Sequence, residues 1–285
     1  MEKFKIASVQ MNALRDDLDH NFAVHIKISR EAANDGCHLI MFPELSVTAH
    51  FADESSTGLA EEADNGRIFE TMRDLAKEQG IVIGYGFCER AHGTFYNAYA
   101  LMGGEGLIGL QRKVHASQDE YLHFRMGQSF EIFNLGFCRL GILVCFDASF
   151  FEAWRVMAIK GVEVLLIPHA GRSGHGEEVP AKEQKSQLEK ILDGLPGRYG
   201  IYAEDNAVFA AYGNQIGYNG HSTHSGGTYI LGPNGKMIAR SELSLDDLWI
   251  QAELDPELLG AARSSPYSLM RTRRPEMYRE LIEKI

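Results

Sequence analysis

The chain predicts an α/β fold in which two sheets pack face to face with helices on their outer sides. Three observations carry that expectation. Strand-like and helix-like stretches alternate in two similar rounds, each round contains a Gly-rich hairpin, and the strand VEVLLI is apolar almost throughout, as in sheets covered on both faces. No linker interrupts the 285 residues, so residues 1–285 are expected to form one domain.

The first round opens with Phe4–Gln10 (FKIASVQ), which alternates well enough for a strand. Residues 16–33 carry Leu18, Phe22 and Ile26 on one helical face, and Gly36 closes that helix. A second strand covers residues 38–42. Asn65 offers a cap to a helix in which Ile68, Phe69, Met72, Leu75 and Ala76 keep i, i+3, i+4 spacing; Gly80 ends it, and residues 81–87 return as a strand. Residues 96–102 and 107–113 flank Gly103-Gly104-Glu105-Gly106 as an antiparallel hairpin.

The second round begins near Phe130. Gly141-Ile142-Leu143-Val144 is a short apolar run that reads as a buried strand ending at Cys145, and residues 153–159 read as a helix stopped by Gly161. Residues 162–167 are the next strand. Residues 172–187 are polar and charged, which predicts a surface loop and a candidate lid. It leads into a helix through Leu188 and Leu192 that breaks at Gly194-Leu195-Pro196-Gly197. A helix at 198–206, a strand at 207–212, a hairpin around Gly232-Pro233-Asn234-Gly235 and a strand at 248–254 complete the sheets. The remainder, with Arg271, Arg273 and Arg274, reads as a polar tail ending in a short helix.

Composition narrows the function classes. A net charge of −11, spread along the chain, opposes a nucleic-acid role, because phosphate binding needs a basic face. No run reaches the roughly 18 apolar residues of a membrane span, and the start leads directly into a strand rather than a signal peptide. A cytoplasmic location is expected. Cys37, Cys88, Cys138 and Cys145 include no C-x-x-C pair, so they read as thiols rather than as a disulfide framework or zinc site.

Cys145 has the address of a nucleophile. A strand-to-helix turn presents a side chain at the strand's carboxyl end, and the N–H groups after it can polarise an oxyanion. A cysteine there also reads as a small buried hydrophobe. Three charged residues near other strand ends could serve it. Glu44 follows an apolar strand and a proline, where partial desolvation would raise its pKa and make it a usable base; Lys113 ends a hairpin strand; Glu120 lies seven residues further on. Each alone also reads as a solvated strand end or an edge-strand charge.

As a set they resemble a known family. FPE at Phe42, Pro43 and Glu44, RK at Arg112 and Lys113, E-x3-F-x2-G at Glu120, Phe124 and Gly127, and C-x-D-x2-F-x-E at Cys145, Asp147, Phe150 and Glu152 look like the carbon–nitrogen hydrolases: nitrilases, aliphatic amidases and N-carbamoyl amine hydrolases. VEVLLIP, the EDN segment at 204–206 and SGGTYILGPNGKMIA extend the likeness over nearly the whole chain. The resemblance implies a four-layer α-β-β-α sandwich and pairing into homodimers, with the 264–285 tail expected at a subunit interface. It implies Glu44 as the base that takes the Cys145 proton and later activates water. Lys113 would hold the oxyanion with the backbone N–H of Phe146, and Glu120 would orient Lys113 or the substrate amine. Lys113 would also lower the thiol pKa. No metal or organic cofactor is required. Glu152 takes a structural role, as a salt bridge or at the helix start.

The branch is read from the residues after the cysteine. Cys145-Phe146-Asp147 is similar to the amidase and carbamoyl hydrolase branches, whereas true nitrilases usually show Cys-Trp-Glu. Amide or N-carbamoyl amine cleavage through a covalent thioester is therefore favoured, with nitrile hydrolysis as the alternative. Ser149 and Phe151 replace the Arg and Pro of a common pattern, which points to a neutral or amine-type substrate, although Arg172 could restore an anion site. His115, Ser149, Phe150, His169 and Arg172 are the pocket candidates. His221 and His224 lack an evident third metal ligand and read as loop residues. An inactive binding protein and a glutaminase subunit that feeds a synthetase remain as readings of another class.

Overall fold

Alternation along the strands sorts most apolar residues into three large cores, which define four layers, and a small fourth cluster of Leu45, Ala60, Cys88 and Phe124 lies apart from them. The computed structural model describes residues 1–50, 54–117 and 119–283. In chain order the elements are β1 (Phe4–Gln10), α1 (Leu18–Asn34), β2 (Leu39–Met41), α2 (Arg67–Gln79), β3 (Val82–Ala91), β4 (Thr94–Gly103), β5 (Gly106–Arg112), α3 (Glu120–His123), β6 (Ile132–Asn134) and β7 (Arg139–Ile142). There follow α4 (Phe151–Ile159), β8 (Val164–His169), β9 (Arg172–His175), α5 (Ala181–Asn206), β10 (Phe209–Asn214), β11 (Ile216–Tyr218), β12 (Ser222–Ser225), β13 (Thr228–Leu231), β14 (Met237–Arg240), β15 (Leu248–Leu254), α6 (Pro256–Ser264) and α7 (Leu269–Thr272).

Two six-stranded sheets run β15-β1-β2-β3-β4-β5 and β14-β13-β10-β8-β7-β6. Ile6, Leu39 and Met41 of the first face Ile142, Val164 and Leu166 of the second in the central core. Their neighbours in sequence point outward. Ala7, Ile40 and Ile83 pack under Phe22 and Ile28 of α1 and Met72 of α2, while Leu165, Ile167 and Ala210 pack under Trp154 of α4 and Leu188 of α5. Period-two alternation thus feeds two cores from each strand, as strands buried on both faces require. The four-layer α-β-β-α expectation holds.

Polar bonds join the sheets beside the central core. Thr228 Oγ1 donates to Ser8 Oγ at 2.7 Å, and Ser8 Oγ donates to the Tyr212 carbonyl at 2.8 Å. Among the described residues no helix is long and apolar enough to cross a membrane.

Several local expectations are corrected. The cap of α2 is Gly66, not Asn65, and the Glu61 carboxylate accepts the Ile68 N–H at 2.6 Å from seven residues upstream. Residues 172–187 are not one loop: Arg172–His175 pairs with β12 in a third, three-stranded sheet, and α5 begins at Ala181. Nor does α5 break at residues 194–197. Pro196 forfeits one N–H bond, but Leu188, Leu192, Tyr199 and Ala203 stay buried along one side, and that packing holds the helix together. The region after β15 holds α6, α7 and two short 3-10 turns, Pro275–Met277 and Arg279–Ile282; the last two residues of the expected terminal helix lie outside the described residues.

Candidate active site

Three strand ends converge at one edge of the two sheets. After β2, Phe42 N–H still bonds to the Gly84 carbonyl, and then Leu45 turns the chain with φ +48°. The turn lies so close to β3 that a Cβ on Gly86 would stand 2.1 Å from Leu45 N, so only glycine fits there. Gln215, from the second-sheet side, donates to the Glu44 carbonyl at 2.7 Å. Glu44 is held fully buried.

Lys113 follows β5. Its N–H donates to the Asn97 carbonyl at 2.9 Å and its carbonyl accepts from Gly127 N–H at 2.7 Å; a Cβ on Gly127 would meet the Arg112 carbonyl at 2.4 Å. The ammonium lies 2.7 Å from Glu44 Oε1 and 2.8 Å from Glu120 Oε2. Asn97 Nδ2 spends its hydrogens on Glu44 Oε1 at 2.8 Å and Glu120 Oε1 at 2.9 Å. Ser117 N–H and Oγ donate to Glu120 Oε2 at 2.7 and 2.8 Å. Glu44 Oε2 alone of the four carboxylate oxygens is buried without a partner.

Cys145 opens a 3-10 turn, Cys145–Ser149, between β7 and α4, and takes φ +50°, a left-handed conformation uncommon outside glycine. The turn is pinned from behind, since Trp154 Nε1 donates to the Ala148 carbonyl at 2.9 Å and Arg198 Nη2 to the Ser149 carbonyl at 2.8 Å. Phe146 is 39% exposed and meets Phe150 edge-on at 5.2 Å.

Charge in this cluster is unequal: two carboxylates share one ammonium. Burial alone pushes the Glu44 carboxyl up, but Lys113 beside it carries it below its ordinary value, opposite to the expected upward shift. Against burial, the same Lys113 charge, with His50, holds Glu120 well below the carboxylate range. Burial pulls the Lys113 ammonium down, yet Glu44, Cys145 and Glu120 together raise it well above its usual value. The Cys145 thiol is raised well above its ordinary value, by burial first and by Glu44 next. Lys113 does pull it down, but that charge is already divided between two carboxylates, so the expected lowering does not result. Burial and the Glu44 charge thus favour the neutral thiol over the thiolate.

The pocket candidates take unlike positions. His115, its side chain 33% exposed, stacks on Phe150 at 4.0 Å and holds the Asp147 carboxylate. His169 ends β8, buried, with Nε2 3.4 Å from Tyr199 OH; burial takes it down to about 4. Ser149 lies at the end of the cysteine turn, where its carbonyl accepts from Arg198. Arg172 opposes His224 in the β9–β12 pair. Glu152 is exposed in the first turn of α4, where its charge suits the helix start, but among the described residues no ion pair forms to it. His224 is a buried strand residue rather than a loop residue, carried down to about 3 by burial.

Sequence reasoning missed three residues. Asn97 bridges the glutamates, His50 Nε2 stands 3.4 Å from Glu120 Oε1, and Asp147 accepts three N–H groups from Val114 and His115. Only Asp147 carried a signal, as the D of C-x-D. Glu44, His50 and Glu120 bring ligand atoms within 4.8 Å of one another, as a cation would require. The Lys113 ammonium already occupies the place of that charge.

Comparisons with known proteins bear on the family and the fold. The sequence model of the carbon–nitrogen hydrolase family matches residues 5–264. The chain is similar to a probable nitrilase of Schizosaccharomyces pombe, 28% identical over 98% of this chain and 99% of the relative. It is also 28% identical to an N-carbamoylputrescine amidase of Arabidopsis thaliana, over 97% of this chain and 94% of the relative. An amidase from Nesterenkonia sp. AN1, solved with acrylamide, superposes with a TM-score of 0.80 over 98% of this chain and 97% of its own. At 19% identity, that likeness speaks for the fold.

Proposed function

The chain belongs to the carbon–nitrogen hydrolase family, and from that premise we propose that it cleaves a small amide or N-carbamoyl amine through a thioester on Cys145. One observation carries the reading. Beneath Cys145 lies a buried ion cluster in which every carboxylate oxygen is occupied except Glu44 Oε2.

The free oxygen suits a proton carrier. Glu44 takes the thiol proton as Sγ bonds to the carbonyl carbon, and the displaced electron pair moves onto oxygen between Lys113 Nζ and the Phe146 N–H. Collapse breaks the C–N bond; Glu44 returns the proton to nitrogen, and ammonia or an amine leaves. Water, deprotonated by Glu44, then attacks the thioester; the C–S bond breaks and sulfur recovers its proton. The raised thiol and depressed carboxyl make a standing thiolate unfavourable, so proton transfer is coupled to carbonyl attack.

Amides and carbamoyl amines are favoured over nitriles because Cys145-Phe146-Asp147 is similar to the amidase and carbamoyl hydrolase branches rather than to the Cys-Trp-Glu usual in nitrilases. The nitrilase name of some relatives keeps the second reading in play. Intact mass and ammonia release, followed on a panel of nitriles, primary amides and N-carbamoyl amines, decide between them. Adduct and ammonia from amides or carbamoyl amines, lost in Cys145→Ala, are expected; turnover of nitriles alone overturns the substrate class, and Cys145-independent turnover overturns the mechanism.

We extend the proposal to assembly and location. Val156 and Ile159 of α4, with Leu269, Tyr278 and Leu281 of the tail, line a groove of about 890 Å³ with exposed apolar side chains. This supports residues 1–285 as one unit whose tail meets a second copy. Light scattering checks it, since Leu281→Asp should yield monomers and a retained dimer sinks the interface. Three buried cysteines and a partly exposed fourth, all free, suit a reducing cytoplasm.

A further inference from the structure

Asp147 stands between the two groups assigned to the oxyanion. Lys113 directly precedes Val114, and Phe146 directly precedes Asp147 itself. The Asp147 side chain is fully buried, and the hydrogen bonds it accepts come from the segment after Lys113. Oδ2 accepts the Val114 N–H at 3.2 Å; Oδ1 accepts the His115 N–H and His115 Nδ1, both at 2.8 Å. Its backbone belongs to the cysteine turn, donating to the Val144 carbonyl at 3.1 Å and accepting from Phe150 N–H at 3.3 Å.

One residue therefore ties the end of a first-sheet strand to a second-sheet turn. β5 and β7 lie in different sheets, which meet chiefly across apolar residues. Apolar contact is non-directional and does not by itself set the spacing of two donors. Three directed bonds do, and the ring supplying one of them is held by its stack on Phe150.

We infer that Asp147 is a positioning residue of the oxyanion hole: by gripping the N–H groups of residues 114 and 115, it sets the separation of Lys113 Nζ from the Phe146 N–H. The inference rests on the thiol mechanism proposed above. A merely structural carboxylate would affect every reaction of Cys145, whereas a positioning residue affects those that build charge on oxygen. Iodoacetamide forms a C–S bond at a saturated carbon, expelling iodide while the thiol proton goes to solvent, and no oxyanion develops. Propionaldehyde forms the C–S bond at its carbonyl carbon, the C=O electron pair moves to oxygen, and that oxygen ends with the thiol proton as a hemithioacetal.

The test uses both probes on wild type, Asp147→Asn and His115→Phe, reading Cys145 alkylation by intact mass and peptide mapping with and without propionaldehyde. In Asp147→Asn the aldehyde concentration that protects Cys145 should rise about tenfold, while alkylation without aldehyde stays within about twofold of wild type. His115→Phe keeps the backbone N–H and the stack but loses the ring donor, and should raise the protecting concentration about threefold. It decides alone should the aspartate variant fail to fold. Unchanged protection, or protection and alkylation falling in step, overturns the role of Asp147. Ammonia release from amides or carbamoyl amines that survives in Cys145→Ala overturns the thiol mechanism, and with it this inference.

Discussion

The two sheets meet at the site with unlike contributions. The first-sheet side supplies charge, in Glu44, Lys113 and Glu120, all buried and paired with one another. The second supplies shape: a cysteine at φ +50° on a turn pinned by Trp154 and Arg198, with His169 buried nearby. The ion cluster forms without the thiol and leaves only Glu44 Oε2 of its carboxylate oxygens unpartnered, and its two carboxylates outnumber its one ammonium, so it resists a thiolate. Reactivity is better placed in the coupling of the two sides than in a standing ion pair.

The largest expected effect separates them. Glu44→Gln should cut ammonia release about 10²–10⁴-fold. Because Glu44 is the chief charge raising the thiol, the same change should make iodoacetamide alkylation of Cys145 at pH 7 faster. Alkylation slowed together with turnover would mean that the glutamate activates rather than restrains the sulfur.

Lys113→Met tests the cluster itself. It should lower kcat about 10²–10³-fold and, by leaving two buried carboxylates unpaired, reduce stability by about 3–5 kcal/mol in urea unfolding. A variant that is inactive but of wild-type stability would show that the cluster is not what holds this edge together.

Acid unfolding sharpens the contrast. Burial depresses His25 to about 4, His169 to about 4 and His224 to about 3, all below the ordinary 6.5. The unfolded chain then binds more protons from pH 6.5 down towards 4, and stability should fall through that window by up to about 1.4 kcal/mol per pH unit for each histidine. The depressed Glu44 and Glu120 carboxyls act later: their contribution is intact above their ordinary value of 4.5 and is lost as pH falls through their folded values. Urea midpoints at pH 7, 5.5 and 4 check the order, and a flat response down to pH 5 contradicts it.

The smallest effect lies outside the site. Glu152→Ala, exposed and without an ion pair among the described residues, should leave stability within about 0.5 kcal/mol by the same unfolding measurement.

Where the sequence was legible, the cause was local. Ile6 against Ala7, or Leu166 against Ile167, divides between inner and outer cores by period two alone, and Glu44, Lys113 and Cys145 stand just past strands that the same pattern locates, whereas Glu120 opens a short helix that the pattern does not show. What escaped depends on distant partners. Arg172–His175 is a strand only because β12 lies some fifty residues on, α5 survives Pro196 only because the second sheet packs against it, and Asn97 reads as an ordinary strand residue until two glutamates flank its amide. The pKa directions escaped for the same reason, since they depend on the ratio of charges in the assembled cluster.

The bonds between the sheets carry a kinetic consequence. Thr228 to Ser8 spans 220 residues of chain, Ser8 to Tyr212 spans 204, and Gln215 to Glu44 spans 171. Closing such separations is a slow part of folding, because loop entropy is lost before the contacts form. Glu44 follows a strand of the first sheet and Cys145 a strand of the second, so the two side chains meet only once the sheets have docked.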